Sequence, residues 1–304
     1  MSFTAKDVQA LREKTGCGMM DCKKALVESQ GDMEKAIEFL REKGLAAASK
    51  KAGRIAAEGI VFTLVSDDSK VGVVIEVNSE TDFVAKNEEF IKFVNICAQT
   101  VINKNPADVE ELLEIVPENN NQKIADLLRD KILTIGENIK IRRFSRYEGQ
   151  VCTYTHGGGR IGVMVNFDTS DNVASLTEFK DMAKDVAMQI AASNPLFLDK
   201  ESVPSETIEK EKEILTAQAI NEGKPANIAE KMVLGRISKY YKEVCLLQQP
   251  FIKNGDISVL DYIKEKSKEF GDDIKVKSFV RFEKGEGLEK REDNFADEVA
   301  NMIK

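Results

Sequence analysis

Residues 78–86 place one acid and one large aromatic side chain, Asp82 and Phe83, at the border between two sequence patterns. The preceding residues 71–77 are mostly apolar and indicate a strand, whereas residues 87–94 have the spacing of a helix. A strand-to-helix junction can hold side chains outward on a rigid scaffold, so Phe83 could anchor a partner protein while Asp82 sets its orientation. The alternative, which residue type alone favours, is that Phe83 packs under the helix and Asp82 caps it.

Motifs for covalent chemistry are missing from the chain. There is no GxxxxGK[S/T] sequence, which is the usual phosphate cradle of nucleotide hydrolases. Three glycines at 157–159 lie between strand-like runs and are typical of a hairpin turn, with a phosphate-binding loop as the alternative. A catalytic triad would have to be built around the only histidine, His156, whose neighbours are typical of an exposed loop. We therefore predict that the protein is not an enzyme and needs no cofactor.

The composition is that of a soluble, helix-rich protein with two or three folding units: 304 residues, 42% of them hydrophobic and 32% charged, with a net charge of −8. Because an acidic protein is repelled by phosphate backbones, we expect no direct nucleic-acid partner. The basic run at 43–54 is interpreted as a solvated helix end or linker. No segment reaches the roughly 18 apolar residues of a membrane span. The first residues enter a helical pattern without a targeting segment, so a cytoplasmic location is predicted.

The cysteines form neither a CxxC pair nor an even-numbered disulfide framework. Cys17 and Cys22 are five residues apart, and both are distant in sequence from the only histidine, His156. A zinc site or other metal site is therefore not expected, and the thiols are interpreted as reduced. The five residues are Cys17, Cys22, Cys97, Cys152 and Cys245.

The first 43 residues are predicted to form three short helices. Thr4 has the residue type of an N-cap for the first helix, and a glycine-containing break at 15–18 ends it. The second helix is expected to run from about residue 19 to residue 29, and the third to end near Gly44. Three helices of this length bury little apolar surface, which indicates a small appended module.

The middle of the chain contains a repeat, in which matching segments are 89 or 90 residues apart. Each copy has the pattern of a strand, a turn, a second strand and a long helix, which predicts a duplicated α+β unit. In the first copy, a longer connection at 107–140 adds further helix. The matching segments are residues 58–59 and 148–149, 71–74 and 161–164, and 105–106 and 194–195.

The repeat bears on the role of Phe83. The first copy has Thr81, Asp82, Phe83 and Val84 where the second copy has residues 171–174, so that the smaller Val173 corresponds to Phe83. If Phe83 only packed the unit, a similarly large side chain would be expected in the second copy. Its absence favours a role for Phe83 that is specific to the first copy.

After the repeat, residues 204–246 are predicted to form an antiparallel helical hairpin that turns at 223–225. The pattern leaves open a homodimer formed through this hairpin. A strand-like segment at 276–282 and a short helix at 294–302 complete the chain.

Several motifs resemble those of the translation elongation factor Ts family. Residues 15–26, TGCGMMDCKKAL, are similar to its N-terminal signature, and residues 80–86, ETDFVAK, to its second signature. Further matches are IGENI at 135–139, His156 with the following glycine, and GEGLEK at 285–290. The resemblance covers essentially the whole chain in the right order. One departure is the loop after His156, with three glycines before Arg160 where a shorter turn is expected.

The resemblance implies an α+β fold with an N-terminal three-helix module like a ubiquitin-associated domain, a duplicated core of two subdomains, a coiled-coil hairpin and a short C-terminal helical module. The expected boundaries are residues 1–54 for the N-terminal module, 55–145 for core subdomain N, 146–200 with 240–283 for core subdomain C, 201–239 for the hairpin and 284–304 for the C-terminal module.

The resemblance also implies a function: a guanine-nucleotide exchange factor that binds the GDP form of elongation factor Tu and promotes GDP release, so that GTP can rebind. Asp82 and Phe83, flanked by Thr81 and Val84, are implied to disturb the magnesium site of that GTPase. Ile135 and His156 are implied to press toward its phosphate-binding loop. Other implied contacts with its nucleotide domain are Arg12, Met19, Met20, Lys23 and Ile252.

Two other functions and several plainer residue roles remain as alternatives. The protein could be an adaptor that binds a partner without changing nucleotide release, or an enzyme that uses His156 or a cysteine. At the level of single residues, at least one of Met19 and Met20 is expected in the core of the small module. Ile135 has the residue type of a core position.

Overall fold

The computed structural model describes residues 3–223 and 225–289 and confirms the α+β class. It begins with helices α1 (Ala5–Thr15), α2 (Met19–Glu28) and α3 (Met33–Lys51). Thr4 caps α1 through a reciprocal pair of hydrogen bonds with Asp7, as its residue type predicts. Val8 and Leu11 on α1 are buried against the other two helices.

The third helix is longer than predicted, because it continues through Gly44 to Lys51. Gly44 is buried against helix α6 (Ile124–Ile135), where a Cβ would lie 3.8 Å from the carbonyl oxygen of Arg129. A glycine inside a helix costs about 1 kcal/mol relative to alanine, but packing on a neighbouring helix readily outweighs it. The basic run at 43–54 is therefore the end of a packed helix.

Two three-stranded antiparallel sheets form the core, with strand orders β1-β2-β3 and β4-β5-β8. The first sheet consists of β1 (Glu58–Val65), β2 (Val71–Ser79) and β3 (Lys140–Glu148). The second consists of β4 (Gln150–His156), β5 (Ile161–Asp168) and β8 (Lys275–Glu283). A separate two-stranded hairpin contains β6 (Pro250–Phe251) and β7 (Asn254–Ser258).

The remaining elements cover the sheets or extend from them. In the first copy they are the 3₁₀ turn Val84–Lys86, α4 (Glu88–Lys104), α5 (Val109–Glu114) and α6. In the second copy they are α7 (Asp171–Ala174) and α8 (Thr177–Ser193). These are followed by α9 (Ser205–Asn221), α10 (Ala226–Val244), the 3₁₀ turn Leu246–Gln248 and α11 (Val259–Phe270). None of the helices within the described ranges combines the length and hydropathy that a membrane span requires.

The sequence repeat corresponds to repeated geometry. Each copy runs through two strands and a short helical turn into a 17-residue helix. Both long helices end at an asparagine in the left-handed region, Asn105 with φ 49° and Asn194 with φ 46°. Both middle strands also carry a register shift at matching positions, 76/77 and 166/167.

The two sheets stack face to face through glycines. A Cβ at Gly72 would lie 2.4 Å from a methyl group of Val151, and a Cβ at the matching Gly162 would lie 2.5 Å from one of Val61. Such contacts leave room only for glycine, so these residues let the sheets approach closely. Between the sheets lies a small apolar cluster consisting of Val61, Val74, Val151, Met164 and Phe282.

The copies run in opposite directions. The start of β4 lies beside the β1–β2 turn, where the N–H of Gly149 donates to the carbonyl of Lys70. The end of β4 lies beside the start of β1, where the N–H of Val61 donates to the carbonyl of Gly159. The strand-to-helix junctions of the two copies therefore lie at opposite ends of the core.

The predicted helical hairpin coincides with α9 and α10, which pack on each other and are bridged by an ion pair between Glu222 and Arg236. Lys224 in its turn and the predicted helix at 294–302 lie outside the described residues. The helix α11 was not predicted. Of the expected C-terminal module, residues 284–289 are described and form turns rather than a helix.

Candidate partner-binding site

Phe83 is 78% exposed, so the interpretation that it packs under the following helix is wrong. The buried residue of this junction is its neighbour Val84, which is 6% exposed and belongs to the core of the first copy. Asp82 does not cap α4 either, because Asn87 Oδ1 accepts from the first backbone N–H groups of that helix. Asp82 is exposed and lies 3.9 Å from Lys86. Both Asp82 and Phe83 are thus free to meet a partner.

The loop that carries Phe83 is fixed by Glu137. Its carboxylate accepts hydrogen bonds from the backbone N–H groups of Glu80 (3.0 Å) and Thr81 (2.9 Å) and from the Thr81 hydroxyl (2.6 Å). Thr81 is therefore an anchor of the loop as well as a predicted contact. Glu137 was not singled out by sequence reasoning, although it lies inside the matched motif at 135–139.

Ile135 lies next to this loop because α6 ends there. Gly136 adopts φ 88°, which terminates the helix and directs the chain to Glu137. The side chain of Ile135 is half-buried and packs against the core of the first copy. Its core assignment is thus correct in part, and the rest of the side chain is exposed two residues before Glu137.

His156 is the exposed last residue of β4, and its Nδ1 lies 3.0 Å from the Tyr154 hydroxyl. The glycine turn that follows it joins β4 to β5, as predicted for a hairpin, and packs on β1. A Cβ at Gly159 would lie 2.2 Å from Ile60. Because the start of β1 pairs with the end of β2, His156 lies at the same end of the core as Phe83.

The four predicted contacts of the N-terminal module, Arg12, Met19, Met20 and Lys23, are all exposed. The expectation that one methionine belongs to the core is wrong, since Met19 is 46% and Met20 64% exposed. The reason is that α2 starts after Gly18, which turns Cys17 and Cys22 inward and leaves the first two helical positions outside.

The start of α2 lies close to the end of α6. A Cβ at Gly16 would be 3.8 Å from the side chain of Thr134, the residue before Ile135. The exposed methionines therefore follow a segment that packs beside Ile135, and the N-terminal module extends the same end of the core.

Ile252 lies in the turn between β6 and β7 and is 47% exposed. Its backbone N–H donates to Oε1 of the buried Gln189 near the end of α8, at 2.8 Å. Because α8 packs on β4 and β5 after leaving the end of β5, it returns toward the end of the core that carries His156. All predicted contact residues thus lie toward one end of the core, although Val84 is buried beneath the loop.

Four of the five thiols are poorly suited to nucleophilic chemistry. Burial raises the pKa of Cys152 and of Cys245 to about 11, and it also raises the pKa values of Cys17 and Cys97. Thiols with raised pKa values stay protonated near neutral pH, whereas the thiolate is the reactive form. In the part of the chain that the structure covers, no three His, Cys, Asp or Glu side chains come together as a metal site.

Exposed apolar and charged side chains thus lie together at one end of the α+β core. Residues 80–286 match the family model described as elongation factor TS. An elongation factor Ts from Clostridium perfringens is 57% identical over 303 residues, which cover 99% of each chain. One from Clostridium botulinum is 53% identical over 305 residues, covering 99% of this chain and 98% of the relative. The chain therefore belongs to the elongation factor Ts family of translation elongation factors.

Proposed function

We propose that the protein is the guanine-nucleotide exchange factor of elongation factor Tu. It binds the GDP-loaded GTPase, distorts the magnesium and phosphate-binding region, and so accelerates GDP release. The observation that carries this proposal is Phe83, a large aromatic side chain that is 78% exposed on a loop held by three hydrogen bonds. An exposed ring on a fixed loop is suited to insertion into a partner, because little loop order has to be acquired on binding.

Exchange requires differential affinity rather than covalent chemistry. If the exchange factor weakens GDP binding by some factor, GDP weakens the binding of the exchange factor by the same factor. A ring that is buried only against the distorted nucleotide site favours that conformation. Burial of a phenylalanine contributes about 1.5–3 kcal/mol, or roughly tenfold to a hundredfold. Larger accelerations need further contacts, which the proposal assigns to Ile135, His156 and Ile252.

The N-terminal module supplies a second part of the interface. Its exposed methionines are flexible apolar side chains that adapt to a partner surface, and Arg12 and Lys23 add positive charge beside them. The homodimer through α9 and α10 and the cytoplasmic location stay predictions.

The proposal is tested by release of a fluorescent GDP analogue from elongation factor Tu. The wild-type protein is expected to accelerate release strongly, and the Asp82→Ala/Phe83→Ala variant is expected to lose most of that acceleration. A matched control is Asp171→Ala/Asn172→Ala, which removes the two exposed side chains of the junction in the second copy. This control is expected to act like the wild type.

Two results would contradict the proposal and favour another function. Binding of the GTPase by well-folded wild-type protein without faster release would favour the adaptor. Complete loss of a measurable activity on His156→Ala, with Asp82→Ala/Phe83→Ala unaffected, would favour an enzyme centred on that histidine, because a multi-point interface is weakened rather than abolished by one change.

A further inference from the structure

The loop with Phe83 and the segment after α6 are cross-linked in both directions. Glu137 accepts three hydrogen bonds from Glu80 and Thr81, at 2.6–3.0 Å. In the other direction, Glu80 Oε1 accepts a hydrogen bond from the backbone N–H of Asn138 at 2.6 Å. We call these four residues the Glu137 clamp. Their hydrogen bonds fix the chain immediately before Asp82.

The clamp and Val84 are the two fixed points on either side of the ring. Val84 is buried in the core, so the chain is held on the C-terminal side of Phe83. On the N-terminal side, the hydroxyl of Ser79 also donates to the carbonyl of Thr81 at 2.9 Å. Without Glu137, the N–H groups of Glu80 and Thr81 would lose their acceptor, and this side of the loop would gain freedom. The direction in which the ring points therefore depends on the clamp.

We propose that Glu137 is a positioning residue for Phe83: its carboxylate holds the loop in the conformation that presents the ring to the GTPase. This inference rests on the proposed exchange function. Glu137 acts through the ring and not by touching the nucleotide. Displacement of a positioned group by about 1 Å can reduce a rate by up to a hundredfold, so the clamp has a measurable effect on exchange.

The second copy has an acid at the position that corresponds to Glu137. Helix α11 ends at Gly271, which has φ 72° like the corresponding Gly136 with φ 88°, and each glycine is followed by an acid. The acid of the second copy is Asp272, whose pKa is lowered chiefly by a hydrogen bond from the Ser170 side chain. Ser170 lies in a junction without an exposed aromatic residue. A change at Asp272 thus loosens an equivalent loop that presents no ring.

The test uses the full-length protein and the maximal rate of GDP release from elongation factor Tu at saturating exchange factor. Glu137→Gln keeps the side-chain size but replaces one acceptor oxygen by an NH₂ group, which cannot accept a hydrogen bond. We expect a roughly tenfold lower maximal rate. In a Phe83→Ala background, the same change is expected to have less than about a twofold effect, because coupled residues are not additive. Asp272→Asn is expected to stay within about twofold of the wild type.

The controls separate failure of the clamp from failure of the proposed function. An inactive wild type would overturn the exchange function itself. If the wild type is active, three results would overturn the clamp. The first is a wild-type rate of GDP release for Glu137→Gln, and the second is an equal loss of rate from Glu137→Gln with and without Phe83→Ala. The third is a loss of rate for Asp272→Asn equal to that for Glu137→Gln. If Glu137→Gln unfolds, Thr81→Val removes the hydroxyl hydrogen bond alone, and the same comparison with Phe83→Ala applies to it.

Discussion

The two strand-to-helix junctions have the same pattern of burial and present different side chains. In the first junction (residues 79–87) Val84 is buried and Phe83 exposed, and in the second (residues 169–176) Val173 is buried and Asn172 exposed. The correspondence of Phe83 with Val173, expected from the strand offset of 90 residues, is therefore wrong, since burial matches at an offset of 89. The scaffold needs only the valine, which leaves the neighbouring position available for partner binding.

The largest expected contrast between the copies lies at matching positions of their middle strands, Glu76 and Asn166. Glu76 is fully buried and accepts hydrogen bonds from Arg142 and Arg143. Asn166 donates a single hydrogen bond, to the carbonyl of Glu148. Glu76→Ala leaves Arg142 and Arg143 without the buried carboxylate between them and should reduce the free energy of unfolding by about 3 kcal/mol. Asn166→Ala should reduce it by about 1 kcal/mol.

Urea denaturation of both variants measures this contrast. Equal losses of stability would mean that the buried charge in the first copy contributes no more than the neutral amide in the second, against this prediction.

A reciprocal exchange of the two exposed residues tests whether the ring works only in the first copy. Phe83→Asn should slow GDP release by roughly tenfold to a hundredfold, because it removes the apolar surface that the partner buries. Asn172→Phe should leave release unchanged, because the second junction lies at the opposite end of the core. The measurement is release of the fluorescent GDP analogue. Recovery of activity in the double variant would contradict the assignment of the first junction.

In the first junction, substitutions at the neighbouring Phe83 and Val84 should have different effects on stability. Val84→Ala removes buried apolar groups and should reduce the free energy of unfolding by about 2 kcal/mol. Phe83→Ala should change it by less than about 0.5 kcal/mol, because the ring is exposed. Thermal or urea unfolding of both variants gives the comparison. Val173→Ala in the second copy is the control for the buried position and should resemble Val84→Ala.

The smallest expected contrast concerns the first turns of the two long helices. Hydrogen bonds from Lys131 and Lys92 lower the pKa of Glu89 to about 2, whereas its counterpart Glu178 has no ion pair among the described residues. Since the folded pKa lies below the unfolded one, this stabilisation is present above about pH 4.5 and is lost as the pH falls through about 2.

Glu89→Gln should therefore reduce stability by about 0.5 kcal/mol at pH 7, a small value because both partners are near the surface. The difference from the wild type should vanish in acid. Glu178→Gln serves as the control and should match the wild type at both pH values. A loss at pH 7 that persists at pH 2 would point to packing rather than to charge.

Much of the fold could be predicted from local patterns. The repeat, the N-cap of α1, the helical hairpin and the final strand all depend on residue spacing and on capping or turn residues. The end of α3 could not, because Gly44 normally favours termination and only the surface of α6 makes its continuation favourable. Helix α11, which follows β7, was not predicted from the sequence.

The sequence by itself determined which residues could serve recognition, through the motifs around Met19, Phe83, Ile135 and His156. Tertiary structure alone decided which of them are accessible and how they are held. Exposure of Phe83 follows from burial of the adjacent Val84, and orientation of its loop depends on Glu137, which lies 54 residues later and meets it through the packing of α6. The local spacing of residues indicates whether a segment forms a helix or a strand. The neighbours of each side chain are decided by packing between segments that are distant in sequence.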